Sequence, residues 1–158
     1  MVIIEGIVTC FIVLTACVVG ISNGPVGLVW LYEKEVQDKV VELGLITKDR
    51  IKKNELYFKL FGILPCFVFV LCSVYFLNGA RGFFECYWQI LVIMMIEGLF
   101  DRLFIDWFWV GRTKAWIIPG TEELMPYIYG KTLAVKWIFT LIGYPVLSAA
   151  FAGILMLF

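Results

Sequence analysis

The sequence predicts an all-α integral membrane protein, a four-transmembrane-helix bundle with both termini outside and a short cytoplasmic helical hairpin between spans one and two. Three observations carry that expectation. Of the 158 residues, 62% are hydrophobic and 17% aromatic, with a mean hydropathy of +0.93, far more apolar than a soluble domain. Four continuous apolar stretches are long enough to cross about 30 Å of hydrocarbon, which takes roughly 20 helical residues. Lysine and arginine concentrate in two of the three connecting segments, the asymmetry that sets orientation in a membrane. Residues 1–158 read as one transmembrane domain.

The spans fall at about 2–32, 56–77, 83–108 and 133–158. They are continuous apolar runs, whereas the strands of a membrane barrel alternate. No basic residue precedes the first, which carries Glu5 and exceeds a signal peptide's apolar core, so it is expected to stay in the mature protein. Within it Ala16, Gly20 and Gly24 form a stripe of small residues that admits a neighbouring backbone, and Ala149 and Gly153 repeat the device in the fourth span. In "ISNGPVG", residues 21–27, Pro25 lacks an N–H and crowds the carbonyl of Ile21, so a kink or opening is expected there, eased by Gly24 and Gly27. A carbonyl freed in lipid needs a polar partner. Asn23 is the candidate, either for that carbonyl or, with the opened backbone, for a ligand.

Loop charge gives the orientation. Lys34, Lys39, Lys48, Arg50, Lys52, Lys53 and Lys59 cluster in and just after residues 33–55, and Arg112, Lys114, Lys131 and Lys136 in and just after 109–132, while the connector near 78–84 holds only Arg81. Both longer loops are therefore expected in the cytoplasm. The first loop is read as this orientation signal rather than as a lipid-binding patch, because Glu33, Glu35, Asp38, Glu42, Asp49 and Glu55 offset its basic residues. In "VVELGLITKDRIKK" a helix is expected to end at Gly44 and another to begin after Thr47 as N-cap. Val36, Val40 and Leu43 would cover Leu45, Ile46 and Ile51 across that hairpin. In the second loop Trp107, Trp109, Trp116, Tyr127 and Tyr129 suit the headgroup belt, with Arg112 and Lys114 beside them. Pro119 and Gly120 predict a turn, and Thr121 caps a short helix opening with Glu122 and Glu123.

Several chemistries are excluded. The chain has no histidine, which removes histidine-ligated haem, a Ser-His-Asp triad and histidine-containing zinc sites. Cys10, Cys17, Cys66, Cys72 and Cys86 form no C-x-x-C pair and read as small apolar residues. No phosphate loop or dinucleotide fingerprint occurs, and a net charge of zero gives no hint of a nucleic-acid partner. No cofactor is expected, although Na⁺ or Mg²⁺ needs only carboxylate and carbonyl oxygens. The expected partners are the bilayer and either a second copy or another membrane subunit, in the plasma (inner) membrane.

The segment that asks for a function is "EGLFDRLFIDWFWVGR", residues 97–112. Counted inward at about 1.5 Å per residue, Glu97, Asp101 and Asn23 all fall toward the cytoplasmic leaflet, with Asp106 at its edge. Lys59, Lys136, Thr140 and Tyr144 reach the same zone from the other spans. Residues four apart share a helical face, so Glu97 stacks with Asp101 and Arg102 with Asp106. The second pair is a local ion pair, whereas the first has no cation on its own stripe. Each intramembrane charge costs about 2.5–3.5 kcal/mol at the helix centre on insertion scales, so that pair must be protonated, hydrated or matched.

Three readings follow. In the first, Asn23, Glu97, Asp101, Arg102 and Lys136 bind a cation, proton or small polar substrate in a transporter-like or channel-like bundle. In the second, Asp106, Trp109, Arg112, Lys114 and Trp116 face lipid headgroups in a membrane enzyme or lipid-binding protein, where Asp101, Asp106 and Glu122 or Glu123 would hold a metal. In the third, Lys136 and Arg102 neutralise the acids and the cluster only fixes helix register in a subunit of a larger complex. The absence of an internal repeat weighs against a complete transporter in one copy.

Overall fold

The computed structural model describes residues 1–157; Phe158, the end of the expected fourth span, lies outside them. No strand occurs among the described residues. The chain forms α1 (Val2–Ile21), a shorter α2 (Lys34–Glu42), and the long helices α3 (Lys48–Leu77), α4 (Phe83–Val110) and α5 (Gly130–Leu155). All but α2 are long and apolar enough to cross a membrane. Their outward faces carry Ile3, Phe11, Phe61, Phe76, Phe84 and Ile142, all exposed. Water does not tolerate so continuous an apolar surface, and hydrocarbon does.

α1 ends at Ile21 instead of bending through Pro25. Gly24 takes a φ of +96°, which reverses the chain before proline is reached, and Pro25–Leu31 continues as a 3₁₀ helix. The stretch expected as a 2–32 span is thus a 20-residue helix followed by a segment packed against α1, α2 and α3. α2 closes with Gly44 at φ +71°, where the Leu45 N–H donates to the Val40 carbonyl (3.1 Å) and the Gly44 N–H to the Val41 carbonyl (3.0 Å). This is the Schellman arrangement that a left-handed glycine permits. Thr47 then caps α3, its hydroxyl oxygen accepting from the Arg50 N–H at 3.3 Å.

α3 is one helix from the loop into the apolar run, so the second arm expected for the hairpin and the second span are continuous. Val36 and Val40 are fully buried, yet Leu43 and Leu45 are exposed. Val36 and Val40 share a core with Ile51, against which Ile46 packs as expected, and that core extends to Leu28, Val29, Tyr32, Trp116, Ile118 and Tyr127. That aromatic surface is larger than the few aliphatic residues of a two-helix hairpin could offer.

Two widened turns share one cause. The Leu64 N–H donates to the Lys59 carbonyl and the Tyr144 N–H to the Phe139 carbonyl, each spanning five residues instead of four. In both cases the next residue, Pro65 or Pro145, has no N–H to offer, and a π turn redistributes the orphaned carbonyls. A second core joins Val70, Val74, Cys86, Ile90, Ile93 and Ala152 from α3, α4 and α5. α1 and α4 run alongside in the same direction: Gly6 and Cys10 meet Ile96, and further along Cys17 shares a core with Ile105.

Candidate functional site

The buried face of α4 changes character along its length. Ile90, Ile93 and Met94 give way to Glu97, 8% exposed, and then to Gly98. A Cβ on Gly98 would lie 2.6 Å from Tyr144 Cε2 and 2.9 Å from Thr140 Cγ2, so only glycine lets α5 approach this closely. That approach brings the Tyr144 hydroxyl to donate to Glu97 Oε2 at 2.8 Å.

From Asp101 to Val110 the helix widens into i→i+5 turns. Residues five apart then return toward one face, which brings Asp101 and Asp106 to either side of Arg102. Arg102 forms ion pairs with both. Lys136 Nζ reaches Asp106 Oδ1 at 2.8 Å from α5. The expected Arg102 to Asp106 pair is present; the correction concerns Asp101, which Arg102 also engages, while Lys136 serves Asp106. Among the described residues no cation forms an ion pair with Glu97.

The cluster holds three acids, Glu97, Asp101 and Asp106, against two bases, Arg102 and Lys136. Both bases are engaged by the aspartates. Glu97 keeps a neutral phenol as its partner, in a place where an unmatched carboxylate is costly.

Asn23 belongs elsewhere. It is exposed on a groove lined also by Arg50, Asn54 and Tyr57, and none of the acids of α4 lines that groove. Nor does Asn23 serve the opened backbone. The Ile21 carbonyl accepts from the Gly24 N–H at 2.8 Å, and the Gly27 carbonyl from Asn54 Nδ2 at 3.1 Å. Lys59 pairs with Glu55 at 2.5 Å and lies over the Trp30 ring, away from the cluster.

The residues expected at the headgroups divide. Trp107, Arg112 and Lys114 are exposed, with the Arg112 guanidinium 3.9 Å from the Trp107 ring centre. Trp109 is half-buried and packs edge-on against Trp116. Trp116 is a correction: it is fully buried, as is Tyr127. The Tyr127 hydroxyl oxygen accepts from the Ile118 N–H at 2.9 Å and bonds the Thr121 hydroxyl at 2.8 Å. Glu122 accepts from the Gly120 N–H at 2.9 Å, and Glu123 is exposed. Among the described residues no three acids or cysteines gather to hold a metal. Tyr129 donates to Glu35 Oε2 at 2.9 Å; desolvation and then that carboxylate push its phenol pKa up.

A second buried acid escaped the sequence reading as a site. Glu5, 5% exposed, accepts from Asn78 Nδ2 at 2.9 Å, and Asn78 Nδ2 also reaches Gln89 Oε1 at 2.8 Å. Only lone polar residues at three separate positions signalled it. Comparison of the chain with protein-family models, with curated proteins and with solved structures finds no match.

Proposed function

We propose that the protein is a transporter-like bundle in which Glu97 takes up a proton or small cation, with its termini outside and residues 33–55 and 109–132 in the cytoplasm. The observation that carries this reading is the charge inventory around Glu97. It is the acid left over when Arg102 and Lys136 are matched to Asp101 and Asp106, and its hydroxyl partner can donate to the carboxylate or turn to accept from the acid. Intramembrane acids with that freedom mark ion and proton pathways in other membrane proteins. Four spans are few for a complete path, so the reading calls for a second copy or a partner subunit, in the plasma (inner) membrane.

The test is flux into liposomes containing the purified protein, under a proton gradient and separately under a sodium gradient. Glu97→Gln keeps the shape and removes the titratable group, and is expected to abolish flux while leaving the size-exclusion profile intact. Flux equal to that of the unsubstituted protein would remove Glu97 from the path. One observation favours a second reading: the Lys136 to Asp106 bond ties α5 to α4, as a purely architectural cluster in a subunit of a larger complex would. That reading expects no flux from either protein and loss of assembly in Lys136→Met.

A further inference from the structure

We propose that the groove between α1, the 3₁₀ segment and α3 binds one anionic phospholipid of the leaflet on the side of residues 33–55. The groove encloses about 520 Å³, within the range of small-molecule sites. Its lining is graded. Asn23, Arg50 and Asn54 stand at the loop end, Tyr57 follows one turn deeper, and Ile12, Ala16 and Phe61 line the part that runs along the apolar spans. A lipid presents the same order, from phosphate through glycerol to acyl chain.

Any furrow on a spanning bundle fills with hydrocarbon, so the specific feature is the rim. Arg50 has no ion-pair partner among the described residues, and no bond engages the Asn23 amide. Asn54 spends its amide N–H on the Gly27 carbonyl, which fixes the floor of the rim. From Lys48 to Lys59 the chain carries five basic residues against two acidic ones, directly beside an apolar helix, the arrangement that attracts anionic headgroups. A Cβ on Gly62 would stand 3.1 Å from Ala16 Cβ, so α1 and α3 meet tightly where these two residues line the groove. The basic loop, read from sequence as an orientation signal alone, thus acquires a binding role.

The test titrates the full-length protein in detergent with phosphatidylglycerol and, separately, phosphatidylcholine, and counts bound lipid by native mass spectrometry. Phosphatidylglycerol is expected to be retained at least about fivefold more strongly, roughly the value of one juxtamembrane cation. Arg50→Ala should erase that preference, while Lys52→Ala, which removes the same charge from α3 away from the groove, should leave it. Thr15→Phe, which fills the apolar part, should weaken retention of both lipids. Equal retention of the two lipids would overturn the proposal, and so would an equal loss in Lys52→Ala, which would mean diffuse attraction. Displacement of the lipid by glycerol phosphate at matching concentration would also overturn it, because the site would then recognise free phosphate.

Discussion

Two buried glutamates of neighbouring helices meet different partners, Glu5 in the first turn of α1 and Glu97 midway along α4, and the difference separates an acid matched by amides from one set beside a charge network. Glu5 lies in the first turn of α1, where unpaired N–H groups and the helix dipole favour a negative charge. Its partners are amides that stay neutral at any pH, Asn78 directly and Gln89 through it. Glu97 lies well inside α4, where no helix end compensates it, and meets a phenol beside the network of Asp101, Arg102, Asp106 and Lys136. The first environment matches its carboxyl with amides alone. The second holds a network whose acids outnumber its bases.

That contrast orders the substitutions by expected effect. Arg102→Met should be the most severe, because it leaves Asp101 with no cation and Asp106 with Lys136 alone; breaking a buried pair costs about 3–5 kcal/mol, read as loss of folded protein after extraction. Asn78→Leu should cost about 1–3 kcal/mol by leaving Glu5 without its donor, and Glu5→Gln in the same background should recover most of it. A comparable recovery of Arg102→Met by Glu97→Gln would break the distinction between the two glutamates.

Gly98→Ala comes next. The added methyl meets Tyr144 and Thr140, and an overpacked contact of this kind costs about 1–3 kcal/mol. It should lower thermal stability and, by displacing Tyr144, alter any flux, whereas Gly153→Ala, where no atom lies within 4 Å, should do neither. The smallest effect belongs to the loop. The Lys34 hydrogen bond holds the Asp38 carboxyl below its ordinary range, against the weaker opposing pull of desolvation. The sign is that of a depressed acid: the contribution is present at neutral pH and is lost as pH falls through the folded-state value. Both groups are exposed, so Asp38→Asn should leave the melting temperature unchanged within error at neutral pH.

The long elements were legible in the sequence because hydrophobic length is a strong signal: the ends of α3, α4 and α5 at Leu77, Phe83 and Leu155 lie near the expected span boundaries. What was not legible came from tertiary geometry. Trp116 and Tyr127 look like belt aromatics when counted along the chain, but they pack on Tyr32, which follows the 3₁₀ turn. Nothing periodic in residues 111–129 announces that core. In the charge cluster the Arg102 to Asp106 pair was legible, because residues four apart share a helical face; the contact of Arg102 with Asp101 was not, because a regular helix separates neighbours by about 100°. Asn23 was placed by depth, which fixes height in the membrane and says nothing of which side of α1 a residue occupies.

The most direct measurement is an infrared difference spectrum of the carboxyl groups, recorded on adding protons or sodium to the reconstituted protein, for the unsubstituted chain, Glu97→Gln and Glu5→Gln. If Glu97 takes up the exchangeable charge, the difference band should vanish in Glu97→Gln and persist in Glu5→Gln. A band that survives Glu97→Gln undiminished would contradict that assignment and leave the cluster a structural one.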